Sequence, residues 1–432
     1  MSDVRAWRAA LVHCLDDPAQ AGAEACVHHP DGLLLVEDGH VAACGPWAEL
    51  GPTLAADVPV ERLPGRILSP GFVDTHIHFP QIDMVAAFSG QLLDWLETRT
   101  FPAERAFADR AHADAAARAF LDELLRNGTT TAMVFGSVHR AGVEALFEEA
   151  LARNMRLIAG KSLMDGGPEG LRDTVESGRE ETEGLIRDWG RRGRLGYAVT
   201  PRFALSSSPA QLASAGEIVR RHDHVWMQTH LAENAREVET VGRTFPEARD
   251  YLDVYDRCGL VTGRSVFGHG IHVTDRSLHR LAQAGAAIAH CPTSNLFLGS
   301  GLFDLARARA HGVTVGLGTD VGAGTSFSLL RTAASACDAA QMRGRPLDPL
   351  AAFYLATLGG ARALRLDDRI GSFAVGREAD FVALDPAATP LLARRLAGAS
   401  DIRDILFALM VLGDDRVVSD VWLAGARAHA RD

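Results

Sequence analysis

At 432 residues, with 47% apolar and 23% charged residues and a net charge of −11, the chain has the balance of a globular protein. It is too long for one simple core but long enough for one large barrel plus a small second domain. Acidic and basic residues are interleaved, which argues against a nucleic-acid or anionic-membrane surface.

The cysteines Cys14, Cys26, Cys44, Cys258, Cys291 and Cys337 are scattered, with no CxxC pair. That spacing favours a reduced intracellular chain over a disulfide framework. No basic region followed by a long apolar core opens the sequence. The longest purely apolar run, Ile405 to Leu412, is far short of the roughly 20 residues that span a bilayer. The expected address is the cytoplasm, with no membrane partner.

The first 66 residues read as short strands and turns, including a hairpin over Gly32–Val41 with Asp38-Gly39 at its turn. An apolar run then leads from Ile67 into Pro70-Gly71-Phe72-Val73-Asp74-Thr75-His76-Ile77-His78. Side chains two apart on a strand share a face, so His76 and His78 project together. Further apolar runs follow at Thr129–Phe135, Arg156–Met164, Leu195–Phe203, Val225–His230, Ser265–His272, Ala286–His290 and Val313–Asp320. Helical patterns alternate with most of them: Ala111–Arg126, Val143–Asn154, Leu171–Trp189, Ala210–Arg221 and Leu302–His311, with a longer insert at Asn234–Arg257. The cluster Arg191-Arg192-Gly193-Arg194 reads as a solvated helix end. The last stretch returns to strands, two within Phe373–Leu384 and one over Val417–Gly425.

Eight β/α units predict a (β/α)8 TIM-type barrel. Strands at both ends predict a small β-sandwich domain built from both termini. The expected division is 1–66 and 370–432 for that domain and 67–369 for the barrel. Active sites of such barrels sit at the C-terminal strand ends. Chemistry-bearing residues cluster there: His76 and His78, Arg202 and Phe203, His230 and Glu233, His269, and Asp320.

Three imidazoles and a carboxylate form a donor set for a divalent metal that activates water. His76, His78, His230 and Asp320 provide it, suiting zinc with ferrous iron as the alternative. Glu233, three residues after His230, is placed to move a proton between that water and a leaving group. Asp320 doubles as a second proton acceptor, and His269 polarises an oxyanion or holds the water. A second HxH pair, His222-Asp223-His224, precedes the fifth strand and so lies at the wrong end of the barrel. His28-His29 reads as surface, His272 as a loop residue, and His290-Cys291 and Lys161 as packing. Strand four, Leu195–Phe203, contains no lysine to bridge two metals, so one metal is expected.

With these residues in place, the chain resembles the amidohydrolase superfamily, and within it the guanine deaminase family. The resemblance rests on Pro70–His78, His230, His269, Asp320 and the closing segment Ile370–Phe381. More specific are His76–Gln81, Leu93-Asp94-Trp95-Leu96-Glu97, Thr100-Phe101-Pro102-Ala103-Glu104, Thr200–Ser206 and Ala289–Leu296. It implies hydrolysis of guanine to xanthine and ammonia, with one zinc ion per subunit on His76, His78, His230 and Asp320. By position, Glu233 is the proton shuttle, and Gln81, Arg202, Phe203, Glu233 and His269 bind the purine. Phe79-Pro80 departs from the smaller residue expected after His78. Homodimers are common in that family. The segment Gln91–Glu104, carrying Trp95 and Phe101, reads as a pocket cover or as an interface. The neighbouring alternative is another deaminase of this barrel type, acting on 8-oxoguanine, a pterin or a related amino-heterocycle. A binding-only barrel and a two-metal amide hydrolase are the remaining readings.

Overall fold

A computed structural model describes residues 3–88 and 92–431. Among them, eight strands run in parallel order: Phe72–His78, Thr129–Phe135, Arg156–Gly160, Leu195–Pro201, Trp226–Leu231, Ser265–His269, Ala287–His290 and Thr314–Leu317. A short strand, Ser162–Leu163, adds to the fourth. The first and eighth strands meet through a seam of single hydrogen bonds. Thr75 Oγ1 donates to Leu317 O at 2.8 Å, Asp320 N to His76 O at 2.8 Å, and His78 N to Val321 O at 2.8 Å. The sheet is thus a (β/α)8 barrel. Its strands are buried throughout, which is why they read as unbroken apolar runs instead of alternating ones.

Helix starts follow their caps. The third barrel helix begins at Val175, not Leu171, because Thr174 Oγ1 accepts from Ser177 N at 3.1 Å. The Leu302–His311 pattern shortens to Leu305–Ala310, capped by Asp304. The insert resolves into two helices, Ala235–Thr244 and Tyr251–Asp256. Helices that the sequence pattern does not predict include Asp275–Ala284 and, after the eighth strand, Leu329–Met342, Pro349–Ala356 and Leu358–Ala363. No helix among the described residues is long and apolar enough to cross a membrane.

Both termini build one seven-stranded sheet beside the barrel. Val4–Cys14, Cys26–Glu37, His40–Pro46 and Val60–Pro70 come from the N-terminal part; Phe381–Leu384, Val418–Leu423 and Ala426–Ala430 from the C-terminal part. Pairing is antiparallel except between Val4–Cys14 and Val60–Pro70. The hairpin turn is at Asp38-Gly39, both with positive φ (47° and 78°), as a type I′ turn requires. Alternation gives the sheet two apolar faces. Trp7, Leu34, Phe381 and Trp422 pack together on one. Ile67, Val382, Leu384 and Val421 join the barrel's core from the other.

Three expectations change. The run from Ile67 to His78 is two strands, because the chain crosses from one sheet to the other at Gly71. There Gly71 N donates to Asp380 O at 2.9 Å, and a Cβ would collide with the Thr130 side chain. Phe373–Leu384 holds one strand, not two. Cys14 and Cys26 are not free: they face each other across the first hairpin, Cα atoms 4.0 Å apart, joined as a disulfide. Their loop separation in sequence carries no disulfide signature, and only strand pairing brings them together.

The N-terminal end of the barrel is tied to the terminal sheet by charge. Arg156 Nε donates to Glu378 Oε2 at 2.9 Å, Arg194 lies 2.9 Å from the same oxygen, and Arg194 also pairs with Asp380. These groups are largely buried. Removing one partner of a buried cluster leaves the others uncompensated. Glu378→Ala should therefore cost about 3 kcal/mol of stability. Denaturant unfolding checks this; an unchanged midpoint would remove the cluster from the list of stabilising contacts.

Candidate active site

The C-terminal ends of the strands surround one cavity. His76 and His78 stand on the first strand and His230 on the fifth. His269 ends the sixth, and Asp320 follows the eighth. Arg202 and Phe203 follow the fourth, Glu233 the fifth, and Gln81 lies in the turn Phe79–Met84 after the first. His269 (φ 69°) and Asp320 (φ 51°) adopt the left-handed region. For non-glycine residues this costs about 1–2 kcal/mol each.

One ligand atom from each of His76, His78, His230 and Asp320 lies within 4.8 Å of all the others. His78 Nε2 and His230 Nε2 are 3.1 Å apart, and Asp320 Oδ1 is 3.3 Å from His76 Nε2 and 3.2 Å from His78 Nε2. Tetrahedral ligands about 2.1 Å from a zinc ion stand about 3.4 Å from one another. These three spacings lie close to that figure, and no pair in the set exceeds 4.8 Å. His76 Nε2 is buried and has no hydrogen-bond partner among the described residues. Burial pulls the His78 imidazole down to about 4 and lowers those of His76 and His230, so their lone pairs are free at neutral pH. Burial alone would raise the Asp320 carboxyl, but the His76 and His78 imidazoles beside it hold it well below the usual range. His230 Nδ1 donates to Arg202 O at 2.6 Å, which aims Nε2 inward. The donor set fits a divalent cation.

His76 reaches this point because two neighbours lack side chains. A Cβ on Gly268 would lie 2.5 Å from the His76 ring, and one on Gly318 2.7 Å from the His76 Cβ. Asp74 braces the same turn, accepting from His76 N and Thr319 N, each at 3.1 Å.

Beside the donor set, Glu233 Oε2 lies 3.5 Å from His269 Nε2, and His269 Nε2 lies 3.7 Å from Asp320 Oδ2. His269 Nδ1 bonds Asn295 Oδ1 at 2.8 Å, leaving Nε2 to face the cavity. Ser300 Oγ donates to Glu233 Oε1 at 3.1 Å. Burial, then the charges of Asp320 and Glu237, push the Glu233 carboxyl well above its ordinary value. That is the environment of a carboxyl group able to carry a proton.

Gln81, Arg202 and Phe203 line the same cavity, as do Leu92, Trp95 and Leu96. The segment after the first strand therefore walls the pocket; its expected first residue, Gln91, lies outside the described residues. The other histidines lie apart from this group. His272 Nε2 bonds Ser300 O at 2.9 Å, and His290 packs on Phe303 at 4.9 Å between ring centroids. Lys161 is buried in an ion pair with Asp173 at 2.7 Å.

Four residues of the site had no part in the sequence reading as functional groups: Glu104, Glu237, Asn295 and Ser300. Glu104 bridges Gln81 and Arg202. Glu237 Oε2 accepts from Glu233 N at 2.9 Å, and Tyr251 donates to its Oε1 at 2.6 Å. Glu104 lies on the five-residue helix Phe101–Arg105, too short for periodicity to distinguish a buried acid from a solvated one.

A strand-end ring of three imidazoles and a carboxylate in a (β/α)8 barrel defines a metal-dependent hydrolase, and residues 67–427 match the model of the Amidohydrolase family. The guanine deaminase of Escherichia coli (strain K12) is 46% identical over 423 residues, 98% of this chain and 96% of that protein. A solved structure titled E. coli Guanine Deaminase superposes with a TM-score of 0.97 at 44% identity, covering 99% of this chain and 100% of that one. A guanine deaminase from C. acetobutylicum with bound guanine in the active site superposes with a TM-score of 0.89 at 25% identity, covering 98% and 99%. The chain belongs to the guanine deaminase family of amidohydrolases.

Gly268→Ala should push the His76 ring off the shared point and lower divalent-metal affinity by tenfold or more, about the effect of losing a supporting group around a metal. Elemental analysis after dialysis measures it; full metal occupancy would show that His76 does not depend on this hollow.

Proposed function

We propose that this chain hydrolyses guanine to xanthine and ammonia, with one zinc ion per subunit held by His76, His78, His230 and Asp320. What supports this reading is that Gln81, Arg202, Phe203 and Glu233 line one cavity together with His78, His230 and Asp320 of that donor set. Three imidazoles and a carboxylate favour zinc, with ferrous iron as the alternative. When bound, the cation acts as a Lewis acid that makes hydroxide available at neutral pH.

The chain's own residues do the rest. Arg202 donates to the ring carbonyl, and Gln81 offers both a donor and an acceptor to the purine rim. Phe203, Trp95 and the leucines of the wall cover the flat faces and exclude water. The amino-bearing C2 is thereby directed towards Glu233 and His269. Glu233 takes the proton of the attacking water and passes it to the departing amine. Asp320 serves as second acceptor, and His269 stabilises the charge that develops as C2 becomes tetrahedral.

The barrel expected over residues 67–369 starts, in this proposal, at Gly71, where the chain leaves the terminal sheet. Purine catabolism or salvage in the cytoplasm, and a homodimeric state, complete the proposal on family resemblance.

Ammonia release from guanine, 8-oxoguanine, adenine and a pterin tests the substrate, with metal measured on the same sample. Guanine should be fastest; a faster oxo-purine or pterin would shift the assignment to that ring. Chelation should abolish turnover and added zinc restore it. Glu233→Gln should retain metal and lose roughly 10²- to 10⁴-fold in kcat; near-normal turnover would remove Glu233 from proton transfer. Arg202→Ala should raise KM by about tenfold or more, the worth of a hydrogen bond to a charged group.

A further inference from the structure

We propose that Glu104 is a positioning residue for substrate recognition: it fixes Gln81 and Arg202 in one arrangement and cancels the arginine's charge, so that the pocket selects a neutral heterocycle over an anion. Glu104 is 4% exposed and sits in the short helix Phe101–Arg105. Its Oε1 accepts from Gln81 Nε2 at 3.0 Å, and its Oε2 accepts from Arg202 Nη1 at 2.5 Å. A single carboxylate thus joins two cavity-lining side chains that follow different barrel strands, the first and the fourth.

The consequences follow from donor and acceptor counting. Gln81 Oε1 accepts from Gly322 N at 3.1 Å while its Nε2 donates to Glu104. A flip of the amide would set carbonyl against carboxylate and NH2 against an N–H, so its orientation is determined at both ends. One N–H and one lone pair remain for a ligand. Arg202 spends Nη1 on Glu104 and lies 5.5 Å from the centre of the Phe101 ring, on the same helix as Glu104. Its remaining donors suit a carbonyl oxygen and oppose an amino group at that position.

Charge gives the second consequence. Arg202 is 4% exposed. A buried guanidinium without a counter-ion would recruit an anion from solution. Under the proposed reaction the product is the better anion, because xanthine loses a ring proton more readily than guanine. With Glu104 in place the pair is neutral, and product gains nothing over substrate.

The same stretch of chain supplies Leu92, Trp95 and Leu96 to the pocket wall. Forming the apolar wall and orienting the polar pair are therefore one structural event.

This inference rests on the guanine reading, but the two fail separately. Wild-type protein that releases no ammonia from guanine overturns that reading, and the variants are then assayed on whichever ring of the panel is fastest. Glu104→Gln, close in shape but uncharged, should keep its metal and raise KM at least tenfold with a much smaller change in kcat. The inhibition constant of xanthine should fall, more so at higher pH where xanthine is anionic. A crystal structure of metal-loaded Glu104→Ala decides the positioning without any substrate. Displacement of the Gln81 amide or the Arg202 guanidinium by about 1 Å or more supports the proposal, a shift large enough to cost about 100-fold in rate. Both groups unmoved, or KM at the wild-type level in Glu104→Gln, overturns the positioning role. Unchanged xanthine inhibition overturns the charge-balancing role.

Discussion

A buried negative charge is the constraint on which the architecture turns. Asp320 lies against the His76 and His78 imidazoles, whose pKa values burial lowers, and no arginine or lysine is paired with it among the described residues. An unpaired carboxylate in such surroundings is costly, so the site is built for a cation. The same residue also closes the barrel, since its backbone N–H reaches His76 O across the seam between the first and eighth strands. Ligand geometry and barrel closure therefore share this contact. A shift that opened the seam would separate His76 and His78 from Asp320.

The two ends of the barrel carry different burdens. At the C-terminal end, residues sit in costly conformations, with His269 and Asp320 in the left-handed region and Gly268 and Gly318 leaving room for an imidazole. At the N-terminal end, Arg156 and Arg194 meet Glu378 and Asp380 of the terminal sheet. This separation is a general property of such barrels, with chemistry at one rim and cohesion at the other. It allows strain at the active rim to be offset by contacts that never approach the substrate.

Much of this was legible in the sequence, for physical reasons. Fully buried parallel strands read as apolar runs, and period-two alternation placed His76 beside His78. Strand-end placement then brought His230, His269 and Asp320 to the same rim. What was not legible depended on partners distant in the chain. The crossover at Gly71 lies within continuous apolar sequence, because both sheets bury their strands there. The Cys14–Cys26 pair arises from strand register. The helix Pro349–Ala356 is apolar and buried on nearly every side, so it carries no periodicity. Glu104 is a buried acid on a one-turn helix, and only the side chains it receives from elsewhere reveal what it does.

The terminal sheet has a consequence for how the polypeptide is made. Val60–Pro70 needs Phe381–Leu384 as its neighbour, so one edge of the early sheet stays open while the whole barrel is synthesised. At about 5–20 residues per second, that interval lasts tens of seconds. During it the nascent chain presents an open strand edge carrying Ile67 and Leu68, a template for intermolecular pairing. A ribosome that stalls before the last strands emerge would thus leave a nearly complete barrel that is prone to aggregate.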